Sequence, residues 1–151
     1  MNVPRPSAVL LAVAVAIAAP AAQAREGAGA SECERNFTVE GSFLSGRTYA
    51  TEALVQGATY PDALHRVRDK LVEQGLDVIA AQEKNGYIRA NNAVRGAEGG
   101  SANAPLRGYV TPVDGNSVNV SLQLTIHGGQ SARKKTVMQY LCDAVAAAAA
   151  G

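Results

Sequence analysis

The sequence predicts an α+β domain, a two-layer sandwich in which an antiparallel sheet carries two helices on one face, with element order β-α-β-β-β-β-α. Three observations predict it. Ser117 to Ile126 reads S-V-N-V-S-L-Q-L-T-I, placing Val118, Val120, Leu122, Leu124 and Ile126 at every second position, the period-two signature of a half-buried strand. Two other stretches carry the apolar stripe of an amphipathic helix. Turn signals at Asn85-Gly86 and Asp114-Gly115-Asn116 join the remaining alternating stretches into two hairpins.

Ahead of that domain, the chain opens with Arg5, an apolar run from Ala8 to Ala19, Pro20, and the small-x-small site Ala22-Gln23-Ala24. This is the tripartite pattern of a secretory signal peptide, residues 1–24, cleaved after about Ala24. The run is shorter than the roughly 20 residues a membrane-spanning helix needs, and no later stretch is long and apolar enough, so no stable membrane insertion is expected. Cys33 follows Ser31-Glu32 rather than the cleavage site, which argues against a lipid-anchored form. The Ala-rich composition is bacterial in character, and the expected location is the bacterial periplasm. For the same reason the glycosylation acceptor pattern Asn36-Phe37-Thr38 carries no weight.

Arg5 is the only charged side chain in residues 1–24. Its removal turns the 14 basic and 13 acidic residues of the whole chain into equal numbers. A balanced charge, together with export, argues against nucleic acid as a partner. In an oxidising compartment the only two cysteines, Cys33 and Cys142, predict a disulfide rather than a metal or redox site. Closing a loop of about 100 residues, it would contribute about 4 to 5 kcal/mol in the chain-entropy model. Residues 25–46 then form an N-terminal arm tied down by the bridge, with a short lead-in strand at Phe37 and Val39. Residues 47–148 form one domain, and 149–151 a frayed tail.

The first strand, Arg47 to Val55, sets Tyr49, Thr51, Ala53 and Val55 on one side. Thr59-Tyr60-Pro61-Asp62 starts a helix with a hydroxyl cap, and Tyr60, Leu64, Val67 and Leu71 make its stripe before Gly75 stops it. Leu76 to Glu83 and Tyr87 to Asn91 pair across Asn85-Gly86. If those two residues are the whole turn, Ile79, Ala81, Ile88 and Ala90 share the core face. Residues 92–104 have no periodicity and are expected as a mobile loop. Leu106 to Val113 pairs with the Ser117 strand. A three-residue turn sets Leu106, Gly108 and Val110 beside Leu124, Leu122 and Val120, whereas a two-residue turn would bury Arg107, so the former is expected. Ser131 caps a last helix whose stripe is Met138, Leu141 and Val145, flanked by Val137 and Ala144. The helical crossover and two hairpins bring the last strand beside the first, giving a spatial order of 1-5-4-3-2.

This element order, over residues 47–148, is similar to the β-α-β4-α unit of the TATA-binding-protein-like and helix-grip folds. It also resembles small domains of periplasmic proteins such as the lipoprotein member of the outer-membrane assembly machinery. Such folds support nucleic-acid binding, lipid binding and scaffolding, so the resemblance implies an architecture and selects no function.

Function is expected on the open sheet face. There Tyr87 and Arg89 on one strand and Arg107 and Tyr109 on another form an aromatic and basic platform beside Asn119, Ser121 and Gln123. Such a face suits a periplasmic partner protein, a second copy of the chain, or an acidic or glycan ligand; the plain alternative is a solvated face whose cross-strand pairs stabilise the sheet. Arg133-Lys134-Lys135 opens the last helix, where backbone donors and basic side chains converge on a possible anion, although charge runs are commonly just solvated. His65 and His127 are the candidate general bases. Neither stands in a recognisable catalytic motif, and two histidines without free cysteines make no zinc signature, so no enzyme activity, metal or cofactor is expected. A third reading is a carrier that holds a small apolar ligand between helices and sheet.

Overall fold

The computed structural model describes residues 28–95 and 101–149; the expected signal peptide and the last two residues lie outside them. Six strands, β1 (Thr38–Ser42), β2 (Gly46–Gln56), β3 (Asp77–Gln82), β4 (Tyr87–Arg95), β5 (Ser101–Asp114) and β6 (Ser117–Ile126), form one open antiparallel sheet. Its spatial order is β1-β2-β6-β5-β4-β3. Three helices, α1 (Ala28–Arg35), α2 (Asp62–Glu73) and α3 (Lys134–Ala146), complete the α+β fold.

The five-strand order expected from sequence is thus corrected to six strands, and two helices to three. The additions both come from residues 25–46, expected as an arm. β1 overlaps the lead-in strand expected at Phe37 and Val39, but all five of its residues are exposed, so no apolar alternation advertised its length or its pairing with β2. Its hairpin to β2 is closed by the Ser42 and Ser45 side chains, 2.8 Å apart, and by Gly129 donating to the Phe43 carbonyl at 2.8 Å. α1 packs against β2 and α3. Cys33, fully buried, is bonded to Cys142, and the buried Thr51 hydroxyl donates to the Cys33 carbonyl at 2.6 Å.

β6 lies between β2 and β5, and its apolar row Val118, Val120, Leu122, Leu124 and Ile126 is buried. The same core takes Tyr49, Ala53 and Val55 from β2, Ala104, Leu106 and Val110 from β5, and Ile88 and Ala90 from β4. α2 contributes Leu64, Val67 and Leu71, and α3 Val137, Leu141 and Val145; Met138, expected on the stripe, is only half-buried. Gly108 faces Leu122, and a Cβ there would lie 2.5 Å from Leu122 Cδ2, so the large side chain on one strand requires the missing one on the next. The two helices are also clamped by polar contacts. Arg66 of α2 donates twice, at 3.0 and 2.7 Å, to the Ala148 carbonyl just past the end of α3, where a cation also suits the helix dipole.

Both helix starts differ from expectation. α2 begins at Asp62 behind Pro61 with no side-chain cap; the Thr59 hydroxyl donates instead to the Asp62 carboxylate at 3.3 Å. The residue before α3 is Arg133, in extended conformation and again without a side-chain cap, not Ser131. Residues 92–104 are not one loop: β4 runs on to Arg95 and β5 starts at Ser101, while residues 96–100 lie outside the described residues. Strand was hidden there because Ala and Asn give little hydrophobic contrast, although Ala104 is buried.

Register was half right. β5 and β6 pair as expected, Leu106 with Leu124, Gly108 with Leu122 and Val110 with Val120. The extra residue, however, is a bulge at Val113, and Asp114 pairs with Ser117 across a two-residue turn. The Ser117 hydroxyl and the Asn116 N–H hold the Asp114 carboxyl below the usual carboxylate range. At the β3–β4 turn, Gln82 pairs with Tyr87 and Ala81 with Ile88, so the turn has four residues, and a bulge leaves Ile79 exposed rather than in the core. Gly86 explains the longer turn. Its carbonyl accepts the Val110 N–H at 2.9 Å, and a Cβ on it would lie 2.0 Å from the Val110 carbonyl oxygen. The turn therefore docks backbone-on-backbone against β5.

Two stability outcomes follow from these contacts. Replacing Cys33 and Cys142 by serine should lower the unfolding free energy by about 4 kcal/mol, read from urea unfolding as a lower midpoint with a steeper slope, since the unbridged chain unfolds to a more expanded state. Gly86→Ala should cost more than about 1 kcal/mol, because backbone must move to admit the methyl group and φ there is +68°. An unchanged midpoint would show that the turn does not depend on that approach.

Candidate functional site

The face of the sheet turned away from the helices is ordered in cross-strand rows. Tyr87 pairs with Tyr109, Tyr109 with Ser121, and Ser121 with Glu52, one row across β4, β5, β6 and β2. In the next row Arg89 pairs with Arg107 and Arg107 with Gln123. Thr111 and Asn119 begin a third. All seven residues expected on this face are thus brought together.

The tyrosine rings are 5.2 Å apart and tilted by 48°, inside the range in which aromatic pairs attract. Tyr109 remains about half exposed, and Arg89, Arg107 and Gln123 are exposed. Arg89 and Arg107 stand directly opposite each other, an arrangement in which like charges destabilise a sheet. Among the described residues neither guanidinium has an ion-pair partner: the ion pairs are His65 with Glu83, Arg68 with Asp69 and Lys70 with Glu73.

The other expected site residues are not brought together. Arg133, Lys134 and Lys135 are exposed at the start of α3. His127 is exposed beyond the end of β6. His65 does have a carboxylate partner, which sequence did not reveal: its Nε2 lies 2.8 Å from Glu83 Oε1, and both side chains are well exposed. The Tyr60 hydroxyl donates to the Glu83 carbonyl as well. These contacts fasten the β3–β4 turn to α2. Among the described residues no cluster of His, Cys, Asp or Glu suits a metal ion.

Between helix and sheet, where the carrier reading would hold a ligand, there is a crevice on the opposite side of the sheet. It lies between the first turns of α3 and β4, β5 and β6, and its volume is about 190 Å3. Ala104, Leu124, Ile126 and Val137 give it a buried apolar lining, and Ser131 and Thr136 stand at the solvent side. The Tyr49 hydroxyl holds one rim by donating to the Ala132 carbonyl at 3.3 Å. Tyr140 also lines it. Its hydroxyl is shut off from solvent and, among the described residues, has no hydrogen-bond partner.

No family model matches the sequence, and no curated protein matches it significantly. Among solved structures it is similar to a conserved protein of unknown function, EF2215 from Enterococcus faecalis, at 8% identity and a TM-score of 0.47, covering 79% of this chain and 78% of that one.

Burial raises the Tyr140 hydroxyl from 10.0 to about 12. The unfolded chain gives up this proton first, so folding stability should decline as pH rises from about 10 towards 12. Tyr140→Phe should flatten that decline in urea midpoints measured across the alkaline range. An equally steep decline in the variant would assign the alkaline limb to other groups.

Proposed function

We propose that this protein is an exported, non-enzymatic binding domain whose open sheet face takes an acidic segment of a partner protein. The observation that carries this reading is the Arg89–Arg107 pair. Two guanidiniums held opposite each other, exposed and, among the described residues, without a carboxylate, repel; a carboxylate placed between them removes the repulsion and forms charge-assisted hydrogen bonds with both. Tyr87 and Tyr109, one row away, supply large and nearly rigid contact area beside that charge. Gln123 and Ser121 extend the platform with groups that both donate and accept. The periplasm as location rests on the signal-like first 24 residues and is supported by the Cys33–Cys142 bridge and by the absence, among the described residues, of a helix long and apolar enough to cross a membrane. The likeness to helix-grip folds belongs to the same reading and rests on element order.

Titration with a synthetic Asp/Glu-rich peptide, followed by amide NMR shifts, tests it. The shifts should map to Arg89, Arg107, Tyr109 and Gln123, weaken with salt, and vanish in the Arg89→Gln/Arg107→Gln variant. That variant should be as stable as the parent or more so, by about 0.5 kcal/mol, since a repulsion is removed. Shifts elsewhere, or none, would refute the acidic partner. A dimer in sedimentation that dissociates on the same substitutions would assign the face to a second copy instead.

A further inference from the structure

One end of the sheet carries an apolar tip beside a set of cations. In the turn between β1 and β2, Phe43 is 46% exposed and Leu44 86%. A single exposed leucine is ordinary, but two large apolar residues in succession at the point of a turn are not. The turn is also pinned. The Ser42 and Ser45 side chains close it, Gly129 donates to the Phe43 carbonyl at 2.8 Å, and a Cβ on Gly128 would collide with the Leu44 carbonyl oxygen. The backbone is therefore fixed against the loop after β6 while both side chains stay in water.

That loop leads into Arg133, Lys134 and Lys135, all exposed. Ala132, the residue before them, is fastened to β2 by the Tyr49 hydroxyl at 3.3 Å. Arg47, two positions from Tyr49 and so on the same face of β2, pairs with Ile126 at this end. Four basic side chains thus share one end of the molecule with the Phe43–Leu44 tip, and among the described residues none of them is in an ion pair. Residues 41–48 and 126–136, which build this end, contain no Asp or Glu. Glu40 lies just before them on β1, and Asp77 stands at the same end on β3, the opposite edge of the sheet. The balanced charge of the whole chain is no obstacle, because attraction at a surface is decided by charges within about 10 Å at ordinary ionic strength.

We infer that this end docks on an anionic lipid surface, with Phe43 and Leu44 entering the boundary between headgroups and acyl chains and Arg47, Arg133, Lys134 and Lys135 lying against the headgroup phosphates. Interfacial binding adds buried apolar area to attraction for anionic lipid, and this end supplies both. A fluid acyl layer accepts a convex tip without the matching socket that a folded acidic partner would have to provide. Long basic side chains can bury their stems beside such a tip and keep their charge at headgroup level. The docking is peripheral, since no helix among the described residues is long and apolar enough to cross a membrane. It does not depend on the open sheet face, whose arginines are on β4 and β5.

The chain has no tryptophan, so Leu44→Trp places a single reporter on the tip, and Val113→Trp, exposed in the bulge at the other end of the sheet, is its control. Each disulfide-bonded variant is mixed with vesicles of phosphatidylcholine alone or with one part in three of phosphatidylglycerol. With the anionic vesicles only, Leu44→Trp emission should shift to the blue and be quenched by brominated acyl chains, while Val113→Trp should not respond. In vesicle cosedimentation, Leu44→Ser should weaken binding roughly tenfold and Lys134→Gln/Lys135→Gln roughly 25-fold, about fivefold for each charge held near the surface. Raising salt to about 0.5 M should release most of the bound protein. Leu44→Ser, which removes an exposed side chain, should keep the parent's urea midpoint, and Arg89→Gln/Arg107→Gln should bind vesicles as the parent does. No binding to anionic vesicles, equal binding to neutral ones, or matching responses from the two tryptophans would overturn the inference. So would loss of vesicle binding in Arg89→Gln/Arg107→Gln, an Asp/Glu-rich peptide that shifts the Leu44→Trp emission as vesicles do, or a dimer that Leu44→Ser dissociates.

Discussion

The two ladders on β6 are what the rest of this molecule depends on. Along its length β6 exchanges hydrogen bonds with β2 on one side and β5 on the other, so the registers of three strands are set against one another. Side chains alternate with a period of two, and a slip of one residue on either ladder would exchange the faces of a whole strand. On β5 it would drive Arg107 and Tyr109 into the core and expose Leu106 and Val110. The alternation of β6 prevents this, because burying five aliphatic side chains is worth several kcal/mol that the slipped register would lose. Gly108 reinforces the choice, since only it leaves room for Leu122.

The helices then turn that sheet into two unlike surfaces. On one side α1, α2 and α3 close over the apolar rows. Apolar packing between them is joined by directed groups: Arg66 of α2 reaches the Ala148 carbonyl just past α3, Gln74 just past α2 reaches the Tyr140 carbonyl on α3, and the disulfide ties α1 to α3. Where α3 passes over the ends of β4 to β6, small side chains such as Ala104 and Ala132 leave the crevice unfilled. On the other side none of the described helices covers the sheet, and the rows of tyrosines, arginines and amides remain open. The chain thus offers a charged, flat surface and an uncharged, concave one, separated by the thickness of a single sheet.

Much of this was legible in the residues, and the reasons for the gaps are physical. Strong hydrophobic contrast made β6, β2 and the stripe of α2 readable, and a simple burial argument about Arg107 gave the correct β5–β6 register. The open-face residues followed from register alone. β1 was readable only as a short lead-in strand at Phe37 and Val39, because all five of its residues are exposed and no apolar period fixes its bounds or its partner. The β3–β4 register failed because Asn85-Gly86 signals a tight turn locally, while the controlling contact is Gly86 against Val110, which lies in another strand. Helix caps misled for a related reason: Thr59 and Ser131 have the right chemistry, but the cap positions fell to Pro61 and Arg133. The abundance of small alanine side chains left room for a cavity between helices and sheet, but the place of the crevice was not legible, since it is set by which alanines fail to fill the space under α3.

The bridge between Cys33 and Cys142, 109 residues apart, also changes what kind of object the chain is. It joins α1 to α3, and all six described strands lie between the two cysteines, so the sheet sits within a covalent ring. α3 is synthesised after the whole sheet, and α1 therefore has no covalent anchor until every strand of that sheet exists. Once closed, the ring tolerates injury. A single cut in any turn of the sheet leaves two pieces that remain one molecule, still aligned by the ladders of β6, and only reduction would let them part.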